Sequence, residues 1–128
     1  MREILFRGKR VDNGELVVGN SVLFFKDTTK IYGELTYWRE IEVIPETVGQ
    51  YTGLTDKNGK KIFEGDIVKA TTGIEGYKST YHSTIQEVKY NAEMCGIAVF
   101  LPFDNSDMVE VEVIGNIYDN PELLRSEK

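Results

Sequence analysis

Apolar residues recur at every second position, with polar residues between them, in much of this 128-residue chain. This pattern constrains the fold more than any other feature of the sequence. In residues 109–113, three valines alternate with Glu110 and Glu112. Successive side chains of a β-strand point to opposite faces of the sheet, so this pattern predicts a strand with one buried and one solvated face. Helical periodicity is nearly absent, which favours an all-β fold.

Other short runs are rich in β-branched or aromatic residues and are separated by turn residues, which is typical of strands. Residues 97–101 are apolar on both faces, so we expect that strand at the centre of a sheet. Many short strands with frequent turns predict an all-β barrel or sandwich. Besides residues 109–113, the predicted strands cover residues 2–6, 16–18, 22–25, 31–37, 40–43, 62–63, 67–70, 85–90 and 97–101.

Two Asn-Gly dipeptides, Asn13-Gly14 and Asn58-Gly59, predict tight hairpins, because Asn and Gly tolerate positive φ at successive turn positions. Gly65 before Asp66 predicts a bend. Residues 71–79 and 102–108 are predicted to form longer loops.

Only the C-terminus carries a helix signal. Asn120 is a suitable cap, Pro121 suits the first helical position, and Glu122 complements the positive end of a helix. The predicted helix has one or two turns, so packing must stabilise it. We expect Leu123 and Leu124 to dock on the barrel or, as exposed side chains, on a partner.

Length and composition fit one globular domain, residues 1–128, with 41% hydrophobic and 28% charged residues. The weakest point for a boundary is Pro45 to Gly49, and it would separate an N-terminal β unit, residues 1–48, from a barrel with a terminal helix, residues 49–124. No apolar run approaches the roughly 18 residues of a membrane-spanning helix. The N-terminal segment lacks the apolar core of a signal peptide, so we expect a cytoplasmic protein with no membrane contact.

Residues that could support catalysis or bind a metal are few. Cys95 and His82 are the only cysteine and histidine, too few for a disulfide or for a zinc site of four Cys and His ligands. Ser83 adjoins His82, but neighbours in a strand face opposite ways, which suits nucleophilic catalysis poorly. Residues 104–107 lack the ligand spacing of a calcium loop. We therefore predict no catalytic residue, no cofactor and no metal, and expect no enzyme.

Charge is unevenly distributed along the chain. The net charge of −6 argues against a generic nucleic-acid-binding protein. Residues 1–11 hold four bases and one acid, whereas residues 90–124 hold seven acids and no base. These segments form either a solvated acidic face and scattered basic charges, or a basic terminus that docks on an acidic surface of this chain or of another copy.

Aromatic residues are numerous, with 7 Tyr, 6 Phe and Trp38. They either fill the core and pair across strands, or form a stacking platform for single-stranded nucleic acid. Trp38 beside Arg39 best fits such a platform, for which Lys57, Lys60 and Lys61 would contact phosphates.

Three segments resemble the YopX family of small bacteriophage and prophage proteins: residues 2–7, 50–68 and 113–124. They read REILFR, QYTGLTDKNGKKIFEGDIV and VIGNIYDNPELL. The resemblance implies a phage-derived, mostly β protein with SH3-like barrel character and a tendency to self-associate. It implies no activity. The chain departs from the family pattern at residues 8–10, and residues 11–49 and 70–108 show no matching motif.

Together these observations predict a non-enzymatic, all-β protein: a small SH3-like barrel of short antiparallel strands with an N-terminal β extension and a short C-terminal helix. We expect it to bind a host or phage protein and to form a homo-oligomer. Alternatives are a barrel that binds single-stranded or duplex nucleic acid, and an acidic inhibitor in which Glu110 and Glu112 imitate phosphates. The candidate interaction residues are Trp38, Arg39, Lys57, Lys60, Lys61, Glu110, Glu112, Leu123 and Leu124.

Overall fold

Antiparallel pairing of short strands dominates the computed structural model, which describes residues 3–74, 76–91, 96–98 and 108–125. The predicted all-β class, with short antiparallel strands and one short C-terminal helix, is confirmed. The chain divides into two compact units, Met1–Gly53 and Leu54–Lys128, and each is described by itself.

The strands of the first unit are β1 Phe6–Lys9, β2 Leu16–Gly19, β3 Ser21–Phe25, β4 Thr28–Tyr32, β5 Ile41–Val43 and β6 Gly49–Thr55. The last of them continues past the division between the units. The strands form two antiparallel sheets, one with the strand order β2-β1-β6 and one with the order β3-β4-β5.

The core of the first unit includes Ile31 and Val43, which are 0% and 1% exposed. A Cβ added at Gly8 of β1 would lie 3.2 Å from atoms of both side chains, so the missing side chain lets β1 approach them closely. The strand predicted over residues 2–6 is misplaced, because the pairing begins at Phe6 and includes two cationic residues around Gly8.

The hairpin predicted at Asn13-Gly14 is present, but it is longer than a two-residue turn. The Gly14 N–H donates to Arg10 O at 3.0 Å, and the Arg10 N–H donates to Glu15 O at 2.8 Å. Gly14 has φ 72°, whereas Asn13 does not adopt a positive φ. Asn13 instead accepts the Glu15 N–H through Oδ1 at 2.9 Å, so it stabilises the turn as a side-chain acceptor.

The strands of the second unit are β7 Lys61–Phe63, β8 Asp66–Thr72, β9 His82–Glu87, β10 Lys89–Asn91, β11 Gly96–Ala98 and β12 Met108–Asn116, and its helix is α1 Glu122–Arg125. They include a three-stranded antiparallel sheet with the order β12-β8-β9 and a two-stranded sheet of β10 and β11.

The core of the second unit confirms the alternation seen in residues 109–113. Val111 and Val113 pack against the buried cluster of Ile62, Val68 and Val88. The alternate residue Glu110 is exposed. One face of β12 therefore contributes to the core and the other meets solvent, as its period of two requires.

Two predictions on the strands around Val88 need correction. The single strand predicted over residues 85–90 is two strands, because Val88 donates its N–H to Asp66 O and accepts the Gly65 N–H, each at 2.9 Å. The strand predicted over residues 97–101, at the centre of a sheet, begins with residues 97 and 98 of β11, and β11 pairs with β10 alone among the described residues. Its remainder, residues 99–101, lies outside the described residues, as do Cys95 and residues 102–107. Within the predicted loop 71–79, β8 continues to Thr72.

The C-terminal helix is present as one turn, α1. The Leu123 N–H donates to the backbone Asn120 O at 3.0 Å, whereas the Asn120 side chain accepts the Asn116 N–H through Oδ1 at 3.3 Å, so the predicted side-chain cap at Asn120 is not formed. A Cβ at Gly115 would lie 3.0 Å from Leu123 Cδ1, and α1 packs against β9. Leu123 and Leu124 are both half-buried, which favours the alternative that they pack on their own unit over the one that leaves them exposed for a partner.

Candidate interaction surfaces

A short loop after β4, residues 33–39, presents the chain's single tryptophan, and we call it the aromatic loop. The strand predicted over residues 31–37 ends at Tyr32, and a 3₁₀ turn, Glu34–Thr36, follows. Gly33 makes this change of direction possible. A Cβ there would lie 2.5 Å from Asn20 Oδ1 and 2.6 Å from the Asn20 backbone nitrogen.

The buried hydroxyl of Thr36 holds the aromatic loop together. Its Oγ1 accepts the Gly33 N–H at 3.1 Å and lies 2.9 Å from Gly33 O and 2.7 Å from Arg39 O, to either of which it can donate. Backbone bonds add to this network, since the Trp38 N–H donates to Gly33 O at 2.9 Å. The loop is therefore fixed by hydrogen bonds made within it.

Tyr37 and Trp38 adopt the left-handed backbone conformation in succession, with φ 54° and φ 61°. This conformation costs a non-glycine residue about 1–2 kcal/mol. Burial of the rings does not offset the cost, because Tyr37 is 86% and Trp38 61% exposed. The Trp38 ring contacts only one described aromatic ring, that of Tyr32, at a centroid distance of 5.5 Å. The backbone of the aromatic loop is therefore strained, and it holds two aromatic side chains at the surface.

An open depression lies beside these rings and is lined by Glu34, Leu35, Tyr37 and Trp38. The side chain of Glu34 is exposed and makes no hydrogen bond or ion pair within the described ranges of the chain. Arg39, the other predicted residue here, is exposed and does not line the depression. The depression thus combines a carboxylate with aromatic and aliphatic surface.

Strand β3 forms a second exposed apolar surface, at the edge of the β3-β4-β5 sheet. Leu23, Phe24 and Phe25 are 38%, 74% and 70% exposed. Leu23 and Phe25 pair with Lys30 and Thr28 of β4, so they share a face of the sheet, and Phe24 points to the other.

One residue of the lysine hairpin, residues 57–61, forms ion pairs with the acidic side of β12. Lys57 Nζ lies 3.4 Å from Glu110 Oε1 and 3.8 Å from Glu112 Oε1. The nucleic-acid hypothesis assigned the lysine to phosphates, and the inhibitor hypothesis assigned the glutamates to a basic protein. Because these side chains are paired with one another, either partner would have to displace an existing ion pair. Lys60 and Lys61 are exposed. All five residues belong to the second unit, whereas Trp38 and Arg39 belong to the first.

Asp56, at the start of the lysine hairpin, is a buried residue that the sequence analysis missed. Its Oδ1 accepts the N–H groups of Asn58 and Lys60 at 2.8 and 2.9 Å, and its Oδ2 accepts that of Val113 at 2.9 Å. Burial is the largest influence on its pKa and raises it, but the three backbone donors together outweigh burial, so the pKa of Asp56 lies below its ordinary value. The carboxylate ties the hairpin to β12.

The hairpin at Asn58-Gly59 is confirmed, and again only the glycine takes a positive φ, 81°. The Gly59 N–H donates to Asp56 O at 3.0 Å, and the Asp56 N–H donates to Lys60 O at 2.8 Å. These bonds define a three-residue loop that ends in a left-handed glycine, a common alternative to the two-residue turn.

Asp66 and Asn116, which are paired in register between β8 and β12, bond the nearby backbone. Asp66 is 1% exposed and accepts the Phe63 N–H at 2.8 Å. Asn116 Oδ1 accepts the N–H groups of Tyr118 and Asp119 at 3.0 and 2.9 Å. The predicted bend at Gly65 is present, with φ 90°. These polar residues build turns.

The basic N-terminal segment uses one of its charges locally. Arg10 donates through Nε and Nη2 to the two carboxylate oxygens of Asp12, at 2.9 and 2.7 Å. Arg7 is 7% exposed and lies within β1. Neither side chain extends as a solvated basic arm.

His82 is exposed at the start of the edge strand β9, and Ser83 Oγ lies 3.0 Å from Thr71 Oγ1, on the neighbouring strand. The hydroxyl of Ser83 therefore has a partner other than His82.

Within residues 3–74, 76–91, 96–98 and 108–125, no group of three His, Cys, Asp or Glu residues is placed to hold a metal ion. In the same ranges, no helix has the length and apolar character needed to cross a membrane.

Comparisons with known proteins agree with this all-β architecture. A search of curated proteins finds no match. Among solved structures, the crystal structure of protein EF1440 from Enterococcus faecalis is similar, with a TM-score of 0.54 and 23% sequence identity, over 97% of this chain and 99% of that one. The model of the YopX protein family matches residues 6–125. The match spans most of the sequence, and the chain belongs to the YopX family.

Proposed function

We propose that this protein is a non-enzymatic binding protein whose aromatic loop contacts another protein. The observation that carries the proposal is the pair Tyr37–Trp38, two exposed aromatic residues in successive left-handed conformations. Strained residues persist only where the surrounding structure fixes them, and they cluster at binding and catalytic sites. Here the hydroxyl of Thr36 holds the loop in its strained conformation, and the two rings gain no burial from that conformation.

The distribution of charge favours a protein partner over nucleic acid. The first unit has seven Lys and Arg against eight Asp and Glu, and the second has eight against thirteen. The exposed aromatic rings of the loop thus belong to a nearly neutral unit. Exposed Trp and Tyr on a surface without excess charge are typical of the central part of protein interfaces.

The two alternative functions have less support. A nucleic-acid platform would need Lys57, Lys60 and Lys61 for phosphate contacts, but Lys57 is paired with glutamates in the more acidic unit. A phosphate mimic would need Glu110 and Glu112 to be available, and Lys57 reduces their negative field.

The proposal includes self-association through β3. An edge strand with three successive exposed apolar residues offers unpaired backbone groups and apolar side chains to a second copy. The proposal also includes an SH3-like barrel, a phage or prophage origin and a place in the cytoplasm of the bacterial host, as the YopX resemblance suggests.

Binding by the aromatic loop is tested with the full chain immobilised as bait for extracts of the bacterial host. We expect a protein that wild type captures and Trp38→Ala does not. Tyr77→Ala is the matched control, because Tyr77 is 66% exposed and lies in the second unit. Equal capture by wild type and Trp38→Ala would refute the proposal.

Self-association is tested by sedimentation equilibrium of wild type and Phe24→Lys. We expect a concentration-dependent oligomer in wild type that Phe24→Lys shifts toward monomer. Ile74→Lys, at a residue that is 60% exposed in the second unit, should leave the oligomer unchanged. A wild type that is monomeric at all concentrations would contradict this part of the proposal.

A further inference from the structure

We propose that the depression beside the aromatic loop receives a cationic side chain, Lys or Arg, of the partner protein. This inference rests on the proposed function and adds the chemistry of the group that is recognised. The depression is lined by one carboxylate, Glu34, and by the rings of Tyr37 and Trp38. A cationic side chain is attracted more strongly than a neutral one both by a carboxylate and by the faces of aromatic rings.

The carboxylate of Glu34 is available for such a contact. Its side chain forms neither an ion pair nor a hydrogen bond in the described residues, and it is exposed. Lys30, in the strand before the loop, is paired with Glu40, its Nζ 3.3 Å from Glu40 Oε1, and Arg39 does not line the depression. Glu34 is thus the one charged residue among the described residues that line the depression, and a carboxylate beside apolar surface is complementary to a guanidinium or ammonium group on an alkyl chain.

The backbone that carries these side chains is held in place before binding. The Glu34 N–H donates to Asn20 Oδ1 at 3.3 Å, and Glu34 O accepts the Tyr37 N–H at 2.9 Å. The Trp38 N–H donates to Gly33 O. Because the backbone that carries the carboxylate and the rings is anchored in one short turn, little loop ordering is needed when the partner binds.

A phosphate backbone is a poorer occupant of the same depression. An aromatic pair alone would accept a stacked base, but the phosphate beside that base would approach Glu34 and be repelled. The charge of Glu34 therefore has opposite effects on the two classes of partner, and this difference makes them separable by experiment.

The test uses the fluorescence of Trp38, the only tryptophan of the full chain. Two blocked peptides serve as probes, Ac-Gly-Arg-Gly-Arg-Gly-NH₂ and the same peptide with both arginines replaced by citrulline, which has nearly the same shape without the charge. We expect a saturable change in emission with the arginine peptide and a response to the citrulline peptide that is weaker by about tenfold.

Two variants locate the effect. Glu34→Gln should weaken binding of the arginine peptide about threefold to tenfold, since it removes the charge and keeps the size of the side chain. Glu42→Gln, at another exposed glutamate of the first unit that does not line the depression, should bind as wild type does. Equal binding of the two peptides, or wild-type affinity in Glu34→Gln, would overturn the inference.

Oligouridylate is the probe for the competing class of partner, nucleic acid. Binding of oligouridylate that becomes tighter in Glu34→Gln would also overturn the inference and would favour nucleic acid. The proposed function fails separately, when Trp38→Ala captures the same proteins from an extract as wild type. If Trp38→Ala loses the partner and Glu34→Gln retains it with full affinity, the aromatic loop binds a protein but recognises no cation.

Discussion

Asp56 and Val113, 57 positions apart in the sequence, are joined by a hydrogen bond of 2.9 Å from the Val113 N–H to the Asp56 carboxylate. The same carboxylate closes the lysine hairpin through two further N–H groups. One buried side chain therefore links a local turn to a distant strand of the second unit. This residue belongs to the segment that resembles the YopX family, and its contacts are explained by folding.

Replacing Asp56 by Ala should lower the free energy of unfolding by about 2–3 kcal/mol, because three backbone donors lose a charged acceptor. Urea unfolding at pH 7 measures the loss. Asp12→Ala is the control, since that carboxylate is exposed and bonds mainly to Arg10. A change in Asp56→Ala no larger than that in Asp12→Ala would contradict the assigned role.

Stability should decrease in acid because of the same carboxylate. The pKa of Asp56 is lower in the folded state than its ordinary value, so its contribution to stability is fully present above about pH 4 and is lost as the pH falls through the folded value. We expect the urea midpoint of wild type to fall more between pH 5 and pH 2.5 than that of Asp56→Asn. Parallel pH profiles for the two proteins would contradict the lowered pKa.

Replacing Thr36 by Val removes the hydroxyl that fixes the aromatic loop and keeps the shape of the side chain. Gly33 and Arg39 then lose a buried partner, so we expect a loss of about 1–3 kcal/mol in unfolding free energy. The emission of Trp38 should also change. Thr36→Ser, which retains the hydroxyl, should resemble wild type in emission, and a Thr36→Val protein with wild-type stability and emission would show that the hydroxyl is dispensable.

Replacing Tyr37 by Gly should stabilise the protein, which is unusual for the loss of a large side chain. Glycine adopts the left-handed conformation without the penalty of about 1–2 kcal/mol, and this gain exceeds its entropic cost of about 0.5–1 kcal/mol. Little burial is lost, because Tyr37 is 86% exposed. Tyr77→Gly, at an exposed tyrosine without a positive φ, should destabilise. If urea unfolding shows Tyr37→Gly to be less stable than wild type, the backbone there is not strained.

Reversing the charge of Lys57 should have a modest effect that depends on salt. Lys57→Glu places a third carboxylate beside Glu110 and Glu112, and we expect a loss of about 1 kcal/mol at low ionic strength. Most of this loss should disappear in 1 M NaCl. Thermal unfolding at the two salt concentrations measures it, with Lys26→Glu as the control, because Lys26 is exposed, lies in the first unit and forms no ion pair in the described residues. An effect independent of salt would show that the ion pairs do not form.

The sequence predicted those parts of the fold that depend on local patterns. The alternation around Glu110 and Glu112 placed the core face of β12, the two Asn-Gly dipeptides located hairpins, and the residues around Pro121 located α1. Each of these depends on side-chain periodicity or on the conformational preferences of a few adjacent residues.

The sequence did not predict structure that depends on close approach or on distant hydrogen bonds. The position of β1 depends on Gly8 packing against Ile31 and Val43, and charged neighbours obscure the alternation there. Asp56 bonds a residue 57 positions away, which leaves no local pattern. The spacing of Gly33 and Thr36 was a usable signal for the end of β4, but the apolar residues around it favoured a continued strand.

For Trp38 the sequence left two alternatives open, packing in the core or an exposed platform beside Arg39. The structure exposes Trp38 and places it beside Tyr37 and Glu34. The strained backbone could not be read from the sequence, because Tyr and Trp are residues that ordinarily avoid positive φ.

We propose that the aromatic loop binds a partner, and the test is the dissociation constant of the captured partner for wild type and for Tyr37→Gly, together with the unfolding free energy of each. We expect an affinity at least about tenfold weaker in Tyr37→Gly, in a variant that is at least as stable as wild type. An unchanged affinity in a well-folded Tyr37→Gly protein would contradict this proposal.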